Sequence, residues 1–174
     1  MKAGRIALCG VMMALALALS YMERFIPLQL LIPLPGVKLG LANVVTLIVL
    51  YRLGAREAFS VLILRCVLGS VFGGGVTGLM FSMTGGILAM TTMSLTKRLP
   101  LFSVYGVSIL GAAAHNVGQI FIAMLMMNSV YVGAYLPYLL VVALFTGTAT
   151  GLVGSSVLRI LMTVHIPGKS GMHR

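Results

Sequence analysis

The sequence predicts an all-α integral membrane protein: one domain (1–174), built as a bundle of six transmembrane helices with both termini in the cytoplasm. Three observations carry that expectation. The chain is 60% hydrophobic and only 8% charged, whereas soluble domains carry about a quarter charged residues. Its apolar residues fall into runs of membrane-spanning length, which takes about 17–25 residues. Its basic residues gather at alternate ends of those runs. With a mean hydropathy of +1.12, most of the surface has to be solvated by lipid.

The first run, 5–22, opens with "MKAGRIALCG". Lys2 and Arg5 followed by an apolar stretch imitate a secretion signal. One face, however, carries Ala3, Ala7, Gly10, Ala14 and Ala18 within about 80° of arc at 3.6 residues per turn. A small-residue face lets helices approach closely, so we expect a retained helix whose stripe can dock another membrane protein. Cys9 and Cys66 lie inside apolar runs without metal-ligand spacing. They read as small buried hydrophobes.

The connection "ERFIPLQLLIPLPGVKLG" follows, with Pro27, Pro33 and Pro35. Proline breaks a helix, and lipid cannot satisfy an irregular backbone. An apolar loop of this kind is expected to fold over the outer mouth of the bundle. The second helix is expected at 37–53, the third at 57–74 and the fourth at 76–95, with Gly73 to Gly75 making a tight turn between the last two. The fifth and sixth are expected at 103–127 and 136–160. No repeat of fixed period divides the chain.

Orientation follows from charge. With the N-terminus inside, Lys2, Arg5, Arg52, Arg56, Lys97, Arg98, Arg159, Lys169 and Arg174 all fall in the cytoplasm, nine of the 12 basic residues. Arg24 and Lys38 fall outside, and Arg65 stays within the bilayer. This is the positive-inside distribution. The net charge of +10 therefore orients the chain, and no basic stripe interleaved with aromatics points to nucleic acid.

The fifth helix holds the principal candidate site. His115, Asn116 and Gln119 share about 100° of arc with Ser108, Ala112 and Ala123, and His115 lies about 18 Å along the helix at about 1.5 Å per residue. A polar face at that depth turns toward the bundle interior or a wet cavity. Interhelical hydrogen bonds alone contribute about 0.6 kcal/mol each. Three such groups on one face point beyond glue to a ligand or pathway.

Arg65, at mid-depth in the third helix, costs at least about 2.5 kcal/mol to insert and needs a partner. The fold can bring Glu23 to it, it can cap backbone carbonyls, or it can meet an anionic ligand. Glu23, Lys38 and Asn43 add to the outer mouth, with Ser82 on the fourth helix. Snorkelling to head groups is the plain alternative for Arg24 and Lys38. Lys38 and Asn43 also open a helix, whose N-terminus favours anions.

Catalysis by this chain alone is not expected. The only acids are Glu23 and Glu57, so paired carboxylates and a DDxxD stretch for magnesium are absent, as is a Walker lysine loop. No cofactor or metal is implied.

"ALALSYMERFIP", "PGVKLGLANVVTLIVLY", "LILRCVLGSVFGG", "FSMTGGILAM" and "GVSILGAAAHNVGQ" together resemble one family across nearly the whole chain, 6–161. It is known as the Gx transporter family and as heptaprenyl diphosphate synthase component I. It is similar to the substrate-binding S components of energy-coupling factor (ECF) transporters. The resemblance implies an S-component-like fold in the bacterial cytoplasmic (inner) membrane that takes up a small organic solute such as a vitamin. It implies docking of the first helix, at Ala14 and Ala18 of an AxxxA pattern, on a T subunit driven by two ATPases. It places the solute against Glu23, Lys38, Asn43, Arg65, Ser82, His115, Asn116 and Gln119. The metal-binding subclass has an N-terminal histidine cluster that this sequence lacks. The second name implies instead a non-catalytic membrane accessory subunit of heptaprenyl diphosphate synthase, in isoprenoid and menaquinone synthesis.

Overall fold

A computed structural model describes residues 3–25 and 40–163, and among them there is helix and no strand. The helices are α1 (Ala3–Met22), α2 (Asn43–Arg52), α3 (Ala55–Gly69), α4 (Gly75–Thr96), α5 (Val104–Met127) and α6 (Leu136–Thr163). Short 3-10 turns at Glu23–Phe25 and Val130–Tyr135 extend α1 and precede α6. Four stretches are long and apolar enough to cross a membrane: Ala3–Met22, Ala55–Thr96, Val104–Met127 and Val130–Leu161. The proline-rich segment, Lys38 and the basic C-terminal end lie outside the described residues.

The stretch Ala55–Thr96 is bent back on itself. Its middle, Ser70–Gly74, winds as a wide π-type turn and breaks at Gly73, where φ is 100°. Only glycine adopts that conformation without strain, and the break falls in the expected Gly73–Gly75 run. The two halves then pack face to face. A Cβ on Gly86 of α4 would lie 2.6 Å from Leu62 of α3. Leu62 and Gly86 are too far apart in sequence to meet along one straight helix.

α2 differs most from expectation. It has 10 residues instead of the expected 37–53, and everything from Asn43 to Leu50 is buried. At about 1.5 Å per residue it is about 15 Å long, half the hydrocarbon thickness of about 30 Å. Gly40, with φ at +79°, is the local reason. Its left-handed backbone cannot continue a helix, so the first turn forms only beyond it.

Small residues fit the helices together, as packing in lipid requires where the hydrophobic effect no longer drives association. α5 lies between α4 and α6. A Cβ on Gly118 would lie 2.8 Å from the Gly85 Cα of α4, and one on Gly147 of α6 would lie 2.6 Å from the Ile109 Cα of α5. The small face of α6 is thus consumed inside the bundle, with Ala143 buried and Gly154 against Leu47. α1 behaves differently. It packs Cys9, Met12, Met13, Ala16 and Leu19 inward, while Ala3, Ala7, Gly10, Ala14 and Ala18 are exposed on its far side.

The basic residues collect at one end of the bundle. Arg5 of α1 pairs with Glu57 of α3 at 3.7 Å. Lys97, just past α4, donates to the Leu50 carbonyl of α2 at 2.8 Å and lies 4.7 Å over the Tyr51 ring. Leu158, near the end of α6, shares a buried cluster with Val44 and Ile48, against which Tyr51 packs. Arg5, Arg52, Arg56, Lys97, Arg98 and Arg159 therefore share this end, whereas Glu23 and Asn43, at the far ends of α1 and α2, lie toward the other.

Candidate functional site

The polar face of α5 points inward, as its periodicity predicts: Ser108, His115, Asn116 and Gln119 are all buried. Their partners divide them into two groups. The Ser108 and Thr150 hydroxyls are 2.6 Å apart, joining α5 to α6. The Asn116 Nδ2 donates to the Leu139 carbonyl at 2.7 Å, a second α5–α6 tie. These bonds hold helices together.

His115 and Gln119 face elsewhere. The His115 ring packs on Gly85 of α4, where a Cβ would meet its Nδ1 at 2.9 Å. The same ring reaches the start of α2. A Cβ on Gly40 would lie 2.8 Å from the Asn43 Nδ2 and 3.4 Å from the His115 Cδ2, so amide and imidazole lie within about 6 Å of one another. Glycine at position 85 leaves room for the ring, and glycine at position 40 leaves room for the Asn43 amide. Gln119, one turn further along α5, is fully buried, and neither amide atom has a hydrogen-bond partner among the described residues.

Asn43 connects this pair to Arg65. The Arg65 Nη2 donates to the Asn43 Oδ1 at 3.1 Å, and Nη1 donates to the Ser20 Oγ of α1 at 3.1 Å. Arg65 is 5% exposed and its Nε–H has no acceptor among the described residues. Glu23 is buried too, and its Oε1 accepts from the Gly40 amide at 2.6 Å. A carboxylate there fixes the backbone immediately ahead of α2.

Four of the expected residues, Glu23, Asn43, Arg65 and His115, therefore converge around Gly40. Two expected partners of Arg65 give way to others. Glu23 is not within the 4.0 Å of an ion pair with it, and no backbone carbonyl of the described residues accepts from it. Ser20 and Asn43 take its Nη hydrogens instead. Ser82 is half-buried on α4, about one turn before Gly85. Lys38 lies outside the described residues.

A small cavity adjoins this cluster. Gly40, Asn43, Met93, Ser108, Gly111, Ala112, Thr146 and Thr150 line about 10 Å³, room for about one water. Asn43 thus belongs both to the cavity wall and to the Arg65 network. Sequence reasoning missed Ser20, Gly40, Thr146 and Thr150. Ser20 carried a readable signal, as the one polar residue ending an apolar run on the first helix. Among the described residues, no group of His, Cys, Asp and Glu is placed to hold a metal ion.

A family model described as heptaprenyl diphosphate synthase component I matches residues 12–157, and the chain belongs to that family. No curated protein and no solved structure matches it.

Proposed function

We propose that this member of the heptaprenyl diphosphate synthase component I family is the solute-binding S subunit of an ECF-type importer. In this reading α3 and α4 are two separate crossings and the bundle crosses the bacterial cytoplasmic membrane six times, with the basic end in the cytoplasm. A small organic solute, a vitamin or cofactor precursor, enters from the outer side and rests against Glu23, Asn43, Arg65, His115 and Gln119, with Lys38 and Ser82 at the rim. The subunit then docks through Ala14 and Ala18 on a T subunit carrying two ATPases. The chain itself catalyses nothing.

One observation carries the reading: a buried polar cluster in a membrane bundle that leaves hydrogen-bonding capacity unused. Polar groups inside a membrane are expensive and mark substrate paths by default, and here Arg65 and Gln119 retain donors or acceptors that no described residue fills. The exposed small-residue face of α1 supports the docking step, because the corresponding face of α6 is occupied inside the bundle.

The family description favours a second reading, a non-catalytic accessory subunit of heptaprenyl diphosphate synthase. One experiment separates the two. The tagged protein is purified from native membranes in mild detergent, and its co-purifying proteins are identified by mass spectrometry. Two ATPases and a membrane T subunit are expected. A soluble prenyltransferase subunit in their place refutes the importer and establishes the accessory role.

A further inference from the structure

We propose that the solute held in this bundle carries a carboxylate, and that Arg65 is the residue that pairs with it. The proposal rests on the solute-binding reading above and names the chemical class that reading leaves open.

The charge inventory is short enough to close. The chain has two acids, Glu23 and Glu57. Glu57 pairs with Arg5 at the basic end, at 3.7 Å. Glu23 places an oxygen on the Gly40 amide at 2.6 Å, and it stands beyond ion-pairing distance of Arg65. The guanidinium is left with two neutral acceptors, the Ser20 hydroxyl and the Asn43 amide oxygen. A buried cation held only by neutral dipoles lacks the hydrogen-bonded counter-charge that normally makes its burial tolerable. Arginine always carries its charge, so it cannot escape by losing a proton.

The geometry states where a counter-charge would bind. A guanidinium offers five N–H donors in a flat fork. One hydrogen on each Nη is spent on Ser20 and Asn43, and the Nε–H is unspent among the described residues. The Nε–H and a neighbouring Nη hydrogen form an edge that matches the two oxygens of a carboxylate. Charge chooses between carboxylate and phosphate. One buried cation neutralises a monoanion, whereas a dianionic phosphate would exceed the single charge that Arg65 supplies. Ser20 and Asn43 hold the fork in position from α1 and α2, so it is pre-oriented before the solute arrives.

The test uses the full-length protein in detergent and a panel of paired probes: acetate, butyrate, benzoate and nicotinate, each against its primary amide, together with inorganic phosphate. Each amide keeps the shape of its acid and removes the charge. Expected is a saturable rise in Tm with one or more carboxylates, absent with the matching amides and with phosphate. Arg65→Gln should abolish the rise, and Arg65→Lys, which keeps the charge but loses the fork, should weaken it at least tenfold in apparent affinity. Because Arg65→Gln can also loosen the fold, the acid–amide comparison on the unaltered protein stands by itself. Equal response to acid and amide, a response to phosphate alone, or no response to any carboxylate overturns the proposal. Recovery of the ATPases and T subunit with any of those results leaves the importer standing and sinks only the carboxylate. A carboxylate response without those partners does the reverse.

Discussion

Replacing Gly118 by alanine puts a methyl group where α4 and α5 come closest. Its Cβ would lie 2.8 Å from the Gly85 Cα, 3.0 Å from the Gly85 nitrogen and 3.0 Å from the Thr84 carbonyl oxygen. All three are backbone atoms, so no side chain can rotate away. Carbon atoms in contact rest about 3.5–4.0 Å apart, and the two helices would have to part by about 1 Å. Overpacking of this kind typically costs about 1–3 kcal/mol. Alanine returns about 1 kcal/mol in helix propensity, leaving a net loss of up to about 2 kcal/mol.

Gly10→Ala supplies the control, because a Cβ there meets nothing within 4 Å and only the propensity gain remains. Reversible unfolding in mixed detergent micelles, followed by circular dichroism, should show Gly118→Ala less stable than the parent and Gly10→Ala equal to it or more stable. The strain also reaches the candidate site, since Gly85 is the surface on which the His115 ring rests. Solute binding should fall along with stability. If Gly118→Ala matches Gly10→Ala in stability, α4 and α5 are not in backbone contact and the placement of His115 is wrong.

Asn116→Ala should lose about 1 kcal/mol, the usual net value of one hydrogen bond, and keep solute affinity within twofold, since its amide is engaged with Leu139 of α6; isothermal titration on the purified variant checks this. Ala14→Leu or Ala18→Leu should leave binding and expression intact and abolish recovery of the T subunit and ATPases, because both residues sit on the exposed face of α1; recovery at parental levels refutes the docking face. Burial of Lys97 lowers its pKa from the ordinary 10.5, so between that lowered value and 10.5 the unfolded chain binds more protons than the folded one. Stability contributed by this group should therefore rise with pH across that window, modestly, because the side chain is only half-buried. Subtracting the Lys97→Met stability curve from the parental one should reveal the rise, and a flat difference refutes it.

Helix positions were legible because lipid imposes them: 103–127 and 136–160 differ from α5 and α6 by only a few residues, and the break at Gly73 fell where three successive glycines predicted it. The inward face of α5 was legible for the same reason, a periodicity of 3.6 acting on Ser108, His115, Asn116 and Gln119. Partners were not. Whether Asn116 bonds a ligand or the Leu139 carbonyl depends on how α5 crosses α6, and that crossing is set by Gly147 and Gly151, far along the chain. Arg65 is the clearer case. Its burial was readable from the apolar run around it, yet Ser20 and Asn43 reach it only because α1, α2 and α3 pack as neighbours. The shortness of α2 was equally hidden, since its apolar composition continues through Gly40, where backbone conformation rather than composition stops the helix.

Saturation sorts the buried polar groups by role. A residue retained for packing gains most when its hydrogen bonds are completed within the protein, because an unmade buried bond costs about 1–3 kcal/mol. Ser108 and Thr150 meet that condition by joining α5 to α6, and Asn116 spends its Nδ2 on the Leu139 carbonyl. Arg65 and Gln119 do not: the Nε–H of one and both amide atoms of the other lack partners among the described residues. Apolar replacements at these two positions would avoid the penalty of burying unfilled polar groups, so their presence calls for a benefit outside folding. A solute that completes those bonds supplies it. Gln119→Leu should then raise stability or leave it unchanged in the absence of solute while reducing uptake at least tenfold. A stability loss above about 1 kcal/mol, the usual net value of one hydrogen bond, would show instead that Gln119 is structural, and the pocket would have to be redrawn around Arg65 and His115.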